Sequence, residues 1–370
     1  MEMKILHTSD LHLRREGDER WEALQKIIEA GKKENIDILV ISGDLFDREV
    51  NETMLRGPIR NVFSQGDFKV VILPGNHDMN CYEEGKYYGE EEKVKIIRKL
   101  GEYVEIGDVR IWGFPFERIK KEEVYRRLHS IGKKIVEDNR TNILLFHGHL
   151  LDLFSSAGDF GEEEEEEGYM PVESFYFKGL NFKYILAGHF HKNYLVKEIE
   201  REKYFVYPGS PVSITTREKW VRKVNLVEVG DVPKAYPLDT FHYEELFITL
   251  DPFDNREPFQ LIDEKIGKIH PKAKFLTIKI DGYINSRRIG MEEREFIQRI
   301  KKMIKERCGL NNEELKEVLG EPEIVNIDKI IEDDLFNIFR EKMKERGYDE
   351  NTQKEIGNVV LKAMIMLHRR

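Results

Sequence analysis

The sequence predicts an α/β fold, and three observations carry that prediction. Five short runs rich in Ile, Leu and Val, at Lys4–His7, Ile36–Ser42, Lys69–Leu73, Asn142–Phe146 and Tyr184–Ala187, have the continuity of strands buried on both faces. Helical patterns lie between them: Trp21, Leu24, Ile27 and Ile28 share one face, and Ile119, Val124, Leu128, Ile131 and Ile135 share another with some drift. Strand and helix in alternation give α/β layers. Each apolar run also ends in a cluster of polar residues, and α/β sheets place their sites at that end of the strand.

The remaining elements follow in chain order. From about Tyr204 to Val229 the sequence reads as strands with a Tyr207-Pro-Gly-Ser210 turn, and Asp231 to Pro237 reads as a linker. A second, smaller unit then alternates strand and helix: Leu246-Phe-Ile-Thr-Leu250 and Phe275-Leu-Thr-Ile-Lys-Ile280 are strands, each followed by a helical stretch, giving β-α-β-α. Asn311 to Asn326, with Gly320 and Pro322, reads as a connection. Two amphipathic helices end the chain, one striped by Ile327, Ile331, Leu335, Ile338, Phe339 and Met343, the other by Ile356, Val359, Val360, Ala363 and Leu367. Gly347 separates them, and Thr352 with Glu355 forms a capping box for the second. The expected organisation is thus 1–230, 238–310, a linker over 311–326 and a helical pair over 327–370.

Composition narrows the class. The chain has 370 residues and a net charge of −10, which argues against binding nucleic acid through a general positive field. A polyanionic substrate would have to be held by local basic clusters. The charged fraction of 35%, rich in Lys and Glu, resembles thermophile surfaces, and an archaeal source fits. Cys81 and Cys308 lie far apart, so a disulfide framework is not expected. No apolar run is long enough to cross a membrane, and the first residues turn polar too soon for a secretory signal. A cytoplasmic protein is expected. The Glu162–Glu167 run reads as a solvated loop.

The five polar clusters carry the chemistry. They are Asp10-Leu-His12, Gly43-Asp44-Leu-Phe-Asp47, Gly75-Asn76-His77-Asp78, His147 and Gly188-His189-Phe-His191. Singly, each has a bland reading as a turn or a chance match. Together, at five strand ends, they supply enough Asp, Asn and His for two adjacent metal ions. Oxygen and nitrogen donors without thiolate suit Mn²⁺, Fe²⁺ or Zn²⁺ better than Ca²⁺. Two cations about 4 Å apart need a bridging anion, and Asp44 is the candidate. Such a pair clamps a phosphate ester and acidifies a water. His77, beside Asn76, is placed to protonate or stabilise the leaving oxygen. A carboxylate should fix its tautomer, with Asp47 the first choice and Asp78 the second. His147 is taken rather than His149 because it directly follows the apolar strand. Arg14, Arg15, Lys192, Arg217, Arg287 and Arg288 are candidate phosphate-backbone (DNA) contacts.

These blocks resemble the calcineurin-like metallophosphoesterase superfamily, whose signature runs Asp-x-His, Gly-Asp-x-x-Asp, Gly-Asn-His-[Asp/Glu], His and Gly-His-x-His. Within it the chain looks most like the meiotic-recombination-eleven / SbcD type of DNA-repair nuclease. The stretches that carry this are Lys4-Ile-Leu-His-Thr-Ser-Asp-Leu-His-Leu13, Ser42-Gly-Asp-Leu-Phe46, Leu73-Pro-Gly-Asn-His-Asp78 and Tyr207-Pro-Gly-Ser-Pro211. The resemblance implies a four-layer α/β/β/α sandwich, a small capping domain that contacts DNA, and a C-terminal helical pair that docks a coiled-coil ABC-type ATPase. It implies two Mn²⁺ ions, one on Asp10, His12, Asp44 and His191 and one on Asp44, Asn76, His147 and His189, with His77 against the scissile phosphate. It further implies a homodimer acting as exo- and endonuclease in double-strand-break repair. The ATPase would be a separate chain, because no Gly-x-x-x-x-Gly-Lys-[Ser/Thr] loop occurs here. One position departs: several members have His where Asp47 stands, and that His is linked there to exonuclease action. Here the phosphatase-like and SbcD-like Asp stands, which leaves open the exonuclease role of this position and the balance of exo- against endonuclease activity. Two other readings stay open, a phosphomonoesterase such as a protein phosphatase and a catalytically silent scaffold.

Overall fold

The structure is a computed structural model and describes residues 3–135, 138–153, 169–252, 254, 256–269, 271–328 and 334–368, with side chains at 153, 334, 335 and 365–368 excepted. The Glu162–Glu167 run, Ile331 and the side chains of Leu335 and Leu367 lie outside the described residues. The chain divides into two compact units, the first over Met1–Tyr243 with Lys272–Lys274 and the second over the remainder.

The first unit holds two six-stranded sheets. In one, β1 (Lys4–Thr8), β2 (Ile38–Ser42), β3 (Lys69–Leu73) and β4 (Val94–Ile96) run parallel. In the other, β5 (Tyr103–Ile106) pairs antiparallel with β6 (Val109–Phe114), which begins a parallel run through β7 (Thr141–His147), β8 (Tyr184–Gly188) and β10 (Lys203–Tyr207); β9 (Leu195–Glu200) closes the far edge. The strand β11 (Lys223–Glu228) returns to pair antiparallel with β1, and β12 (Lys234–Pro237) pairs with β11. The expected linker over 231–237 is therefore corrected for its last four residues: Ala235 and Tyr236 sit in register with Asn225 and Val224. Pro237 is tolerated because it ends an edge strand.

Period-two alternation explains the layers. In β2, Ile38 and Val40 enter a core shared by both sheets, while Leu39 and Ile41 enter a second core with Leu24 and Ile28. In β7, Ile143 and Leu145 face the shared core while Leu144 and Phe146 meet Val124 and Leu128. Both faces of each sheet are thus apolar, which is why the strands read as continuous hydrophobic runs. Helices α1 (Glu19–Glu34) and α2 (Glu49–Ser64) cover the first sheet, and α3 (Lys121–Gly132) covers the second. Asp18 caps α1 by accepting the Trp21 N–H. The sequence of layers is helix, sheet, sheet, helix, as the resemblance implied.

The second unit has its own three-stranded sheet of β13 (His242–Leu250), β14 (Ala273–Ile284) and β15 (Glu323–Asn326). Packed on it are α4 (Pro258–Gly267) and α6 (Glu293–Cys308), with a short α5 (Ser286–Ile289) between β14 and α6. The stretch 311–326 is not a connection. It contains α7 (Asn312–Val318), closed by a capping box between Asn311 and Glu314, and β15, which pairs parallel with β14. Its Gly320 and Pro322 mark only the turn between these two elements.

The last two helices, α8 (Asp334–Glu345) and α9 (Glu350–His368), bury Phe336 and Leu361 with Ile327, and Phe339, Val360, Met364 and Tyr283 pack around them. Part of the expected stripe is therefore internal. Ile338 and Val359 remain 50% and 68% exposed. The cap of α9 is Asp349, whose carboxylate accepts from the Thr352 N–H and hydroxyl, so the expected Thr352–Glu355 box is corrected by an earlier start. Among the described residues no helix is long and apolar enough to cross a membrane.

Candidate metal centre

The C-terminal ends of β1, β2, β3, β7 and β8 lie side by side, so the loops that follow them meet. Three glycines permit the approach. A Cβ on Gly43 would fall 2.0 Å from His147 Nδ1, one on Gly75 would fall 2.2 Å from Asp44 Oδ1, and one on Gly188 would fall 2.0 Å from the Ser42 carbonyl oxygen. The donors themselves are held in backbone conformations that L-residues seldom adopt: φ is +55° at Asp10, +47° at His12, +54° at Asp44 and +98° at His189. Four such residues in one cluster are stored local strain of the kind that marks functional sites.

The side chains converge. His12 Nε2 and His191 Nε2 are 3.2 Å apart, and Asp10 Oδ1 is 3.5 Å from the same His191 nitrogen. On the other side, Asn76 Oδ1 is 2.9 Å from His147 Nε2 and 3.2 Å from His189 Nδ1. Asp44 stands between the two groups: its Oδ2 is 3.6 Å from His12 Nε2 and 3.3 Å from His147 Nε2. Among the described residues that buried oxygen has no hydrogen-bond partner. A buried, strained set of oxygen and nitrogen donors around an orphaned carboxylate oxygen fits a pair of divalent cations with Asp44 between them. Triads such as Asp10, His12 and His191 bring their ligand atoms within 4.8 Å of one another.

The charges point the same way. Burial works against an ionised Asp10, yet His191 and His147 hold its carboxyl down to about 2. Burial likewise opposes a proton on His147, but the Asp44 and Asp10 carboxylates raise it to about 9, and His191 is raised well above its ordinary value by Asp10 and Glu218 in spite of burial. The carboxylates thus demand positive charge between them. Divalent cations held by these donors would meet that demand in place of the imidazole protons.

Around these donors sits a supporting layer that the sequence did not reveal. Ser42 offers its carbonyl to His147 Nδ1 at 2.8 Å. His149 Nε2 lies 2.6 Å from His189 Nε2, and Tyr169 stacks on the His189 ring at 5.1 Å. His149, not itself an expected ligand, therefore supports one. Glu218 is buried and places Oε1 3.5 Å from His191 Nδ1, while Arg222 donates to the His191 carbonyl. Such partners fix ring orientation and tautomer. The turn and charge pattern around Glu218 and Arg222 offered no signal, because both reach the site only after the chain folds back along β10.

Two expected roles are corrected. The Asp47 carboxylate does not face His77. It accepts from Arg20 at 2.9 Å and from Arg14 at 3.1 and 3.3 Å, and its Oδ1 lies 3.6 Å from His12 Nδ1. Three guanidinium and imidazole groups out-compete one ring. His77 Nδ1 instead lies 3.3 Å from the Asp47 backbone carbonyl. Asp78 is fully buried, pushed up to about 6 chiefly by that burial, and its oxygens accept from the Gly75, Leu45 and Phe46 N–H groups and the Tyr82 hydroxyl. It pins the Asp44 and Asn76 loops together.

His77 itself is exposed at the mouth of the centre. Its backbone N–H donates to Asp44 Oδ1 at 2.9 Å, and its ring stands edge-on to His12 at 4.6 Å. Among the candidate basic contacts, Arg15 and Arg217 are exposed, Lys192 is half-buried, and Arg14 is tied to Asp47. Arg287 and Arg288 belong to the second unit, where the Arg288 guanidinium donates to the Pro252 carbonyl.

Fold and centre together define a metal-dependent phosphoesterase. The family model described as calcineurin-like phosphoesterase matches residues 3–193, just over half of the chain, and the chain belongs to that family. Among curated proteins it is 23% identical over 314 residues to the DNA double-strand break repair protein Mre11 of Sulfurisphaera tokodaii, covering 78% of this chain and 76% of that one. It is 26% identical over 314 residues to an SbcCD nuclease subunit of Staphylococcus saprophyticus, covering 75% and 78%. Among solved structures, a protein of Thermus thermophilus aligns with a TM-score of 0.44 at 14% identity, covering 64% of this chain and 99% of that one. A dimetal phosphatase from Danio rerio aligns with a TM-score of 0.41 at 7% identity, covering 64% and 96%.

Proposed function

We propose that this protein is a manganese-dependent DNA nuclease of double-strand-break repair. The observation that carries the metal chemistry is the convergence of donors from five separate loops, with Asp44 between the two groups they form. The choice of DNA rests on the two curated relatives, which match about three quarters of the chain and are named a repair protein and a nuclease subunit.

Asp10, His12, Asp44 and His191 would hold one ion and Asp44, Asn76, His147 and His189 the other; when bound, the pair supplies Lewis-acid polarisation of a phosphodiester and a nucleophile at neutral pH. The chain's own residues do the rest. His77, outside the ligand set and open to solvent, places an imidazole N–H against the phosphate and delivers a proton to the leaving oxygen. Arg20 and Asp47 hold His12 in angle. Arg15, Lys192 and Arg217 take backbone phosphates within the first unit; Arg287 and Arg288 are the phosphate contacts the second unit itself offers.

The helical pair α8 and α9 supports the reading of a docking segment for a coiled-coil ATPase, with Ile338 and Val359 as exposed apolar contacts. A second copy of the chain would cover Val50, Met54, Met79 and Tyr87, four large residues 44 to 63% exposed on α2 and the loop after β3.

The test is cleavage by the purified protein with Mn²⁺ of single-stranded DNA, duplex DNA and p-nitrophenyl phosphate. Degradation of DNA that EDTA abolishes is the expected result. Hydrolysis of the small ester with DNA left intact would instead favour a phosphomonoesterase.

A further inference from the structure

We propose that Trp220 is a stacking platform for an unpaired base of a DNA strand entering the metal centre; this rests on the nuclease reading above. The chain has three tryptophans. Trp21 and Trp112 are buried at 5% and 2% exposure, whereas Trp220 is 52% exposed. It also has φ of +66°, a conformation that a bulky side chain rarely takes. A large apolar ring held in water by an unfavourable backbone is not explained by packing.

The backbone there is fastened from both sides. The Trp220 N–H donates to the Tyr243 carbonyl at 2.7 Å, and the Arg222 guanidinium donates to the Lys219 carbonyl at 3.2 Å. Just upstream, Glu218 accepts from the Ser210 hydroxyl at 2.6 Å and the Ile214 N–H at 2.8 Å. The same carboxylate lies 3.5 Å from Nδ1 of His191, a proposed metal ligand. One rigid segment therefore supports a metal ligand and displays Trp220. The two residues of chain from Glu218 to Trp220 span at most ~7 Å of backbone, so Trp220 is carried on the same short segment that backs a metal ligand.

The charge balance gives such a contact a purpose. With a net charge of −10 the protein repels a polyanion at long range. Ring-on-base stacking adds attraction that does not depend on that field and tolerates any sequence. It requires an unpaired base, so the platform selects frayed ends and single strands over blunt duplex.

The experiment uses full-length, metal-loaded protein in a His77→Ser background, so that oligonucleotides survive. Because the other two tryptophans are buried, Trp220 dominates quenching by solute. A thymidine oligonucleotide is expected to quench the emission and to bind with a Kd that Trp220→Gly raises about tenfold, within the range for base–aromatic stacking. Glycine accepts φ of +66°, so the segment keeps its shape. Trp220→Tyr should restore most of the affinity, and binding of a blunt duplex should change little. Equal oligonucleotide affinity in parent and Trp220→Gly, or an equal loss on blunt duplex, overturns the proposal while leaving the nuclease reading standing. Failure of the wild-type protein to cleave any DNA while it hydrolyses p-nitrophenyl phosphate overturns both.

Discussion

Replacing Asp44 by Ala should cut phosphodiester hydrolysis by more than about 10³-fold, equivalent to roughly 4 kcal/mol of barrier. The reason is position. Asp44 has an oxygen directed at both donor groups, 3.6 Å from His12 and 3.3 Å from His147. Loss of an outer donor such as His191 leaves the other group of ligands intact. Loss of Asp44 would remove the anion shared by the two donor groups, and with it the charge that would hold two cations close together against their mutual repulsion. Metal content measured on the purified variant should fall from two ions per chain to one or none. The variant should remain folded, because the buried hydrophobic layers on either side of each sheet do not include Asp44. Retention of two ions and of activity by Asp44→Ala would show that the bridge lies elsewhere.

The second large effect belongs to His77. His77→Ser should lower hydrolysis by roughly 10²- to 10⁴-fold, the usual range for removing a positioned general acid. Metal content should stay at two ions. The loop is held by the His77 backbone N–H on Asp44 and by Asp78 beneath it, and serine keeps both arrangements. Paired measurement of metal and turnover separates His77 from the ligands. A parallel fall in metal content would place His77 among them, an option the structure offers through the nearby His12, Asp44 and His77 group.

Much of this is legible in the sequence for a definable reason. The five core strands of the first unit are buried on both faces, so their apolar runs are unbroken, and each ends where a site residue begins. Elements that carry a mixed message are hidden. Helix α2, which none of the sequence patterns above marks, runs through Gly57 and Pro58, two residues that interrupt helical periodicity, to Ser64. Strand β6 has Arg110 in the middle of a buried run, and that guanidinium is satisfied by Glu105 and Asp138, which only the fold brings near. Glycine and proline in 311–326 likewise mask a helix and a strand.

The site divides in the same way. Residues within a motif, such as Asp10 with His12, announce themselves by spacing. Their orientation does not. Sequence alone points Asp47 toward His77 because both belong to neighbouring loops, but Arg14 and Arg20 hold its carboxylate on the His12 side. His149 lacks the strand-end position of a ligand, and its relation to His189 follows from the turn geometry after β7. Glu218 and Trp220 belong to no motif at all. Burial in one case, and an exposed ring on a left-handed backbone in the other, identify them only in three dimensions.

The most direct test is crystallographic: an anomalous-scattering map from crystals grown or soaked with manganese. The account predicts two peaks about 4 Å apart, one beside Asp10, His12 and His191, the other beside Asn76, His147 and His189, with Asp44 contacting both. A single peak away from Asp44, or none among these side chains, would contradict it.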